Sequence, residues 1–193
     1  MALITDKKIY LASASPRRRQ LLQELDIDIQ LIEPRDIDET YPENLKAEDV
    51  AEFISREKAA AYLDVITPGQ IIITADTVVI CDGEVLGKPH GGEKAAADML
   101  RKLSGKTHLV VTGVSILQSS GITSFSTTTE VHFDILTDSE IDYYVTKYAP
   151  FDKAGAYGIQ EWIGYIGIKG INGCYYNVMG LPLHDLYRYL SSI

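Results

Sequence analysis

The sequence is poor in cysteine, and its two cysteines exclude one class of protein. With only Cys81 and Cys174, the chain cannot build the disulfide framework that stabilises small secreted domains. Each cysteine lies in an apolar stretch, which predicts two reduced thiols packed in the interior. Neither has a second cysteine or a histidine at ligand spacing, so the sequence gives no indication of a zinc site.

Long apolar runs are also lacking. No stretch approaches the ~20 residues that a membrane-spanning helix needs. The segment Met1–Lys8 becomes charged at Asp6, too early for a secretory signal with an extended apolar region. We therefore expect a cytoplasmic protein that does not act at a membrane.

Positive charge is in short supply as well. The chain has 18 lysines and arginines against 27 aspartates and glutamates, a net charge of −9. A nucleic-acid polymer is an improbable partner, because duplex binding depends on neutralising many phosphates. A small phosphorylated ligand stays compatible with this charge, since a pocket needs only local positive charge.

What the sequence does contain is typical of one soluble domain. Hydrophobic residues make up 46% and charged residues 23% of 193 residues, and no linker or repeat interrupts residues 1–193. Helical and strand patterns alternate, but Asp82-Gly83 and Asn172-Gly173 predict hairpins. We therefore predict an α/β fold with a mixed twisted sheet and flanking helices. Strands are predicted at 8–12, 27–32, 71–73, 78–80, 84–86, 109–117 and 122–133, and helices from Ser15-Pro16 and at 48–63, 93–103, from Thr137 and at 182–190.

The first candidate for chemistry is the segment from Ser13 to Arg19. A strand runs into small residues and then a helix start, where unpaired backbone N–H groups favour an anion. Arg17 and Arg18 add donors that match phosphate oxygens. The alternative is a solvated basic turn that only begins a helix. Because the helix dipole disfavours cations in the first turn, a bound polyanion is the better explanation of this cluster.

The second candidate is Asp76, which lies between two strongly apolar strand segments. An acid there is expensive to bury unless it is paired or binds a metal. Carboxylates suit Mg²⁺, which takes one or two protein ligands together with substrate phosphates. A hydrogen-bonded aspartate at a strand end is the alternative. Lys88 follows the Asp82-Gly83 hairpin and can return towards Asp76, or it is only a solvated lysine.

The third candidate is the loop from Pro150 to Gln160. Its two glycines, Gly155 and Gly158, indicate close backbone approach to another element or to a ligand. The carboxamide of Gln160 can complement the edge of a nucleobase. By chemistry alone a packed loop is the more economical interpretation, just as Glu39 and Lys58 are typical of surface residues.

Taken together, these segments resemble the Maf family. Any one of the matching blocks can arise by chance, but the ordered set is highly specific and covers nearly the whole chain. The blocks are LASASPRR (11–18), REKA (56–59), ADTV (75–78), GKP (87–89), LSGKTH (103–108), DKAGAYGIQ (152–160) and VMGLP (178–182).

The resemblance implies a fold like that of the inosine-triphosphatase group, with two α/β lobes around a central cleft, and commonly a homodimer. It implies hydrolysis of a nucleoside triphosphate between the α and β phosphates, with Mg²⁺ or Mn²⁺ as cofactor. Asp76 matches the family's proton acceptor and metal ligand, and Glu39 falls at an acidic metal-site position. The positions that match substrate contacts are Ser13, Arg17, Arg18, Lys58, Thr77, Lys88 and Gln160.

Two details resemble the branch that prefers dTTP and UTP. Thr77 follows Asp76 at a position where the branch that prefers 7-methyl-GTP has glutamine. The motif AYGIQ (156–160) is absent from that other branch. Departures from the family pattern are Ala149, where glutamate is common, and Glu161-Trp162, where glycine is more usual after Gln160. Two alternatives are carried forward, namely a 7-methyl-GTP-type pyrophosphatase and an interaction protein that regulates septum formation.

Overall fold

The structure is a computed structural model that describes residues 6–193. Residues 1–5, which carry part of the argument against a secretory signal, lie outside the described residues. Within residues 6–193, no helix is long and apolar enough to cross a membrane. Both cysteines are free thiols; Cys81 is buried as predicted, whereas Cys174 is only half-buried.

Seven strands form one sheet in the described chain. The order of neighbouring strands is β2-β1-β3-β5-β6-β7, and β4 pairs with β3 off this path. The strands are β1 (Lys8–Leu11), β2 (Ile29–Leu31), β3 (Gln70–Cys81), β4 (Glu84–Leu86), β5 (Thr107–Gln118), β6 (Gly121–Phe133) and β7 (Ile168–Asn172).

Helices separate most of these strands along the chain. Short 3₁₀ turns at Ala47–Asp49 and Ala154–Ala156 supplement them. The helices are α1 (Pro16–Gln23), α2 (Val50–Ala60), α3 (Gly92–Leu103), α4 (Asp138–Tyr148), α5 (Trp162–Gly167), α6 (Tyr175–Val178) and α7 (Leu183–Leu190).

The sheet is mixed, which confirms the predicted fold class. Strand β1 pairs in parallel with both β2 and β3. Strand β4 pairs antiparallel with β3, and β7 pairs antiparallel with β6. The hairpin between β3 and β4 turns at Asp82 and Gly83, both of which have positive φ angles, as the two-residue hairpin signal required.

Local capping signals place two helix starts where the sequence predicts them. The Ser15 side chain caps α1 by accepting from the Arg18 backbone N–H, and Pro16 follows at the first helical position. Pro is favoured there because its missing N–H has no intrahelical partner to lose. At α4, Thr137 and Glu140 form a reciprocal capping box, the arrangement that satisfies two terminal donors at once.

Two local predictions were wrong. Residues 71–73 and 78–80 are not separate strands, since β3 runs unbroken through Thr74–Thr77. Asn172-Gly173 does not turn a hairpin, because β7 ends there and the short helix α6 follows. Polar and glycine residues predict a break in the chain direction, but only pairing with neighbouring strands decides whether a strand continues.

The chain divides into two compact units with separate cores. The first unit contains the chain up to Asp76, Thr112–Thr127 and Gly180–Ile193, and the second contains Thr77–Val111 and Thr128–Met179. The core of the first unit includes a buried cluster of Ala12, Ala59, Tyr62, Ile72 and Leu117. The core of the second unit includes Leu100, Leu103, Val131, Tyr144 and Ile163 among its fully buried side chains.

Candidate active site

Three predicted site residues of the first unit meet around one ammonium group. Lys58 Nζ lies 2.7 Å from Asp76 Oδ1 and 2.8 Å from Glu39 Oε1. The side chains of Asp76 and Lys58 are 14% and 21% exposed, whereas Glu39 is 52% exposed. The Asp76–Lys58 pair is therefore the less screened of the two ion pairs. Lys58 is no isolated surface lysine, because the fold places it between two carboxylates.

A buried hydrogen bond sets the register that brings Lys58 to Asp76. Thr74 Oγ1 donates to the carbonyl oxygen of Ser55 at 2.7 Å, and both residues are fully buried. Thr74 precedes Asp76 by two residues on β3, so the two share one face of the strand. Ser55 precedes Lys58 by three residues on α2, so these two share one face of the helix. The sequence analysis did not predict the contact between Thr74 and Ser55, because a single small polar residue in an apolar segment does not indicate its partner.

Helix α2 is held against the sheet by close packing and by further hydroxyl contacts. A Cβ added to Gly113 on β5 would lie 2.4 Å from backbone atoms of Ala51, so only glycine permits this approach of helix to strand. The Ser55 hydroxyl lies 2.7 Å from that of Ser115, which in turn lies 2.8 Å from that of Ser124. This contact chain fixes α2 and, with it, the position of Lys58.

The guanidinium of Arg18 connects three segments of the first unit. Its Nε donates to the carbonyl oxygen of Gly180 at 2.8 Å, and one terminal nitrogen donates to that of Ala75 at 2.8 Å. Burial lowers the pKa of Arg18, and the nearby Asp76 carboxylate opposes that shift. A guanidinium stays charged over the whole working pH range. Arg18 thus fixes the backbone beside Asp76 and brings positive charge to it.

The loop before α1 is ordered by its own serines. Ser13 Oγ accepts a hydrogen bond from the Ser15 backbone N–H at 3.2 Å. Ser13 and Arg17 are both half-buried, while Arg19 is exposed. The basic cluster thus begins a capped helix, as both interpretations of the sequence require.

The residues present fit a divalent cation of the magnesium type. Oxygens of Asp76 and Glu39 already converge on one cation, the Lys58 ammonium. Carboxylate oxygens are the ligands that Mg²⁺ and Mn²⁺ prefer, and Mg²⁺ needs only one or two of them when phosphates and waters complete its shell. Within residues 6–193 no group of three or more His, Cys, Asp or Glu side chains is arranged to hold a metal.

The other predicted contact residues belong to the second unit. Thr77 is half-buried and follows Asp76 directly on β3, and Lys88 is exposed after β4. The Gly155 N–H donates to the carbonyl oxygen of Gly87 at 3.1 Å, so the Lys88 turn is tied to the loop that ends in Gln160. Gly155 has a positive φ of 69°, and a Cβ there would lie 2.8 Å from Val79. This glycine allows the close backbone approach that the sequence indicated.

Gln160 itself carries a buried polar atom. Its Oε1 is buried and has no hydrogen-bond partner among the described residues. An unsatisfied buried acceptor costs about 1–3 kcal/mol, so such atoms are rare in folded proteins. Structural packing alone does not account for a carboxamide in this position.

An ionic network around the buried Lys153 involves residues at both ends of the Gln160 loop. Lys153, with only 9% of its side chain exposed, lies 2.8 Å from Asp152 and 3.2 Å from Glu161. The Tyr144 hydroxyl donates to Glu161 Oε2 and accepts from the Gly158 backbone N–H at 3.0 Å. Burial raises the pKa of Tyr144 far above its usual range, and the hydrogen bond to Glu161 adds to that shift. Tyr144 therefore acts as a neutral hydroxyl at every physiological pH.

A second buried pair joins β5 to the same loop. His108 Nε2 and the Tyr157 hydroxyl are 2.8 Å apart, and the His108 ring packs edge-on against Phe133. Burial lowers the pKa of His108 to about 4, so the ring is neutral at pH 7. Two of the blocks that carry the family resemblance, LSGKTH (103–108) and DKAGAYGIQ (152–160), thus meet in the core of the second unit.

Comparison with known proteins gives consistent relatives over almost the whole chain. A protein from Phocaeicola vulgatus named dTTP/UTP pyrophosphatase is 55% identical over 186 residues, which are 96% of this chain and 96% of the relative. Proteins of the same name from Bacteroides thetaiotaomicron and Porphyromonas gingivalis are each 52% identical over 186 residues. The match to the Bacteroides protein covers 96% of this chain and 96% of the relative. The match to the Porphyromonas protein covers 95% of this chain and 93% of the relative.

Solved structures give more distant likenesses. A HAM1 protein from Coxiella burnetii is 13% identical over 97% of this chain and 100% of its own, with a TM-score of 0.49. The Ham1 protein of Staphylococcus aureus is 18% identical over 66% of this chain and 72% of its own, with a TM-score of 0.44. The family model described as Maf-like protein matches residues 8–193. With that match and relatives above 50% identity over nearly their full length, the chain belongs to the Maf-like protein family.

Proposed function

We propose that this protein is a nucleoside triphosphate pyrophosphatase that hydrolyses dTTP and UTP to the nucleoside monophosphate and pyrophosphate. The relatives named above carry the name dTTP/UTP pyrophosphatase at 52–55% identity. The single structural observation that carries the proposal is the meeting of Asp76, Lys58 and Glu39 in the first unit. Such activity removes triphosphates from the nucleotide pool.

The residues of the first unit supply charge of both signs. Asp76 orients the attacking water and accepts its proton, as a general base. The water oxygen bonds to the α phosphorus, the bond from that phosphorus to the bridging oxygen breaks, and pyrophosphate leaves. Arg17, Arg18 and Lys58 stabilise the negative charge that grows on the phosphate oxygens. The Ser13 hydroxyl donates a hydrogen bond to the same phosphate oxygens.

A divalent cation, Mg²⁺ or Mn²⁺, is part of this proposal. Asp76 and Glu39 would hold it together with phosphate oxygens of the substrate. When bound, it supplies a Lewis acid that offsets phosphate charge and lowers the pKa of coordinated water. With a cation held there, Lys58 would be available to contact the phosphates instead of the two carboxylates.

We assign selection of the base and a further phosphate contact to Gln160, Thr77 and Lys88. Gln160 reads a pyrimidine edge through its carboxamide, and Thr77, which follows Asp76 on β3, is a further substrate contact. Lys88, exposed and tied through Gly87 to the Gln160 loop, adds positive charge for the triphosphate. Gln160→Ala is expected to relax the preference for pyrimidine over purine triphosphates; an unchanged ratio of kcat/KM would count against base reading.

Assembly and location are further parts of the proposal. We propose a homodimer that works in the cytoplasm as a single Maf-like domain over residues 1–193. The resemblance in sequence supports this, together with relatives that match over nearly their full length. Size-exclusion chromatography with light scattering tests the dimer, and a monomer mass at micromolar concentration would exclude it.

Product analysis tests the function directly. Purified protein with Mg²⁺, and separately with Mn²⁺, is given dTTP, UTP, CTP, ATP, GTP and 7-methyl-GTP, and products are separated by liquid chromatography. We expect dTMP and UMP with pyrophosphate. Orthophosphate with a nucleoside diphosphate would place cleavage at the wrong bond. Preference for 7-methyl-GTP would assign the other branch, and no turnover at all would favour an interaction protein in septum formation.

A further inference from the structure

The carboxamide of Gln160 has two orientations that fill nearly the same space. A half-turn about its last torsion exchanges the acceptor Oε1 for the donor Nε2. The orientation matters because thymine and uracil present a carbonyl oxygen at the position where cytosine presents an amino group. A glutamine that turns freely serves both kinds of base, so selection between them needs a neighbour that fixes the carboxamide.

Glu161 is that neighbour. A Cβ built on Gly158 would lie 2.9 Å from Gln160 Nε2, 2.9 Å from Glu161 Cδ and 3.1 Å from Glu161 Oε2. The amide nitrogen and the carboxylate therefore border the same small space over Gly158. A negative charge attracts the positive end of the carboxamide dipole, so nitrogen is favoured over oxygen on this side. Oxygen is accordingly the buried end of the group.

The carboxylate is itself fixed by two partners. The Tyr144 hydroxyl donates to Oε2, and Lys153 Nζ lies 3.2 Å from Oε1. Because Lys153 is almost fully buried, this ion pair is weakly screened by solvent. These two contacts fix the direction of the Glu161 carboxylate.

The backbone of the loop is held by other contacts. The Tyr165 hydroxyl donates to the carbonyl oxygen of Gln160 at 2.9 Å, and the Gly158 N–H donates to the Tyr144 hydroxyl at 3.0 Å. Neither bond uses the Glu161 charge. Removing that charge therefore changes the preferred direction of the carboxamide more than the path of the loop.

We propose that Glu161 is a positioning residue that turns the nitrogen of the Gln160 carboxamide towards the ligand. The loop then donates to a base carbonyl and disfavours a pyrimidine with an amino group at the same position. This inference rests on the proposed function, and it adds the discrimination of uracil and thymine from cytosine. It acts through Gln160, since Glu161 is occupied by Tyr144 and Lys153.

The test compares kcat/KM for UTP and CTP in wild type and in Glu161→Gln. We expect the UTP:CTP ratio to fall about tenfold or more, because the neutral side chain removes the preference for one orientation. Loss of structure alone would lower both values together and leave the ratio unchanged. Glu161→Asp, which keeps the charge, is expected to retain most of the preference.

Two further variants separate the causes. Asp152→Asn removes the other carboxylate partner of Lys153 and is expected to leave the ratio unchanged; an equal fall would assign the effect to Lys153 and overturn the proposal. Tyr144→Phe loosens Glu161 and is expected to lower the ratio less, which keeps the test valid if Glu161→Gln does not fold. An unchanged ratio in both Glu161→Gln and Tyr144→Phe overturns this inference alone, whereas wild type inactive on UTP overturns the proposed function.

Discussion

At the scale of single residues, the candidate site centres on the ammonium group of Lys58, which two carboxylates share. Lys58 contacts both Asp76 and Glu39 at hydrogen-bond distance, so one ammonium group balances two carboxylates. The sequence indicated Asp76 as a candidate without the family resemblance, since an acid between apolar strand segments is costly to bury unless it is paired or binds a metal. It did not predict Lys58 or Glu39 except through the family resemblance, because both have the residue type and setting of ordinary surface residues.

Replacing Asp76 by asparagine tests its role. The substitution keeps the shape but removes the proton acceptor, so we expect kcat on dTTP to fall by about 10²- to 10⁴-fold. Glu39 still faces Lys58, and the thermal unfolding midpoint should change little. Asp64→Asn, at an exposed ion pair with Arg35, is the matched control and should keep full turnover. Turnover near the wild-type level in Asp76→Asn would refute the role of general base.

The buried His108 makes stability depend on pH. Burial lowers its pKa to about 4 from 6.5, so the unfolded chain binds the proton more readily. The contribution of His108 to the free energy of unfolding is therefore fully present above pH 6.5. It is lost as the pH falls towards 4, by about 3 kcal/mol in total. Urea unfolding at pH 7.5 and pH 5 measures this loss, and His108→Gln should reduce it. His184→Gln, at an exposed ring, is the comparison; an equal slope in His108→Gln and wild type would exclude the effect.

At the scale of secondary-structure elements, the placement of α2 against β3 decides whether the site forms. Capping residues and hairpin residues are local signals, and they predicted the starts of α1 and α4 and the β3–β4 turn. The contact between Thr74 and Ser55 spans 19 residues, and the approach of Gly113 to Ala51 spans many more. Nothing in either local sequence reveals its partner, so these contacts were not predicted.

Replacing Thr74 by valine tests this placement. Valine fills the same volume but leaves the Ser55 carbonyl without its donor, which should lower the free energy of unfolding by about 1–3 kcal/mol. We also expect kcat/KM on UTP to fall, because α2 carries Lys58. Thr127→Val removes a comparable hydroxyl bond, to Asp185 on α7, and should affect stability without affecting kcat/KM. Equal kinetic effects of the two variants would show that Thr74 does not position Lys58.

At the scale of the whole molecule, the charge balance limits the partners. A net charge of −9 opposes binding to a long polyanion, whereas we propose that the basic groups near Asp76 bind one small anion. We expect no binding of a fluorescent 20-mer duplex at 10 µM protein in about 50 mM salt, where phosphate contacts are strong. Fluorescence anisotropy measures it, with a basic DNA-binding protein as positive control. Salt-sensitive binding would reopen the nucleic-acid hypothesis.

The sequence by itself determined the alternation of helices and strands, the mixed sheet, the capped helix starts and the ordered blocks that mark the family. These features follow from periodicity, turn chemistry and residue identity, which act over a few neighbouring residues. Tertiary structure alone decided that Arg18 holds the backbone at Ala75 and Gly180. It also decided that Lys58 bridges two acids and that Glu161 lies beside the Gln160 carboxamide. Partners distant in sequence meet only once the cores have packed, because burial and charge pairing depend on the surroundings that packing creates.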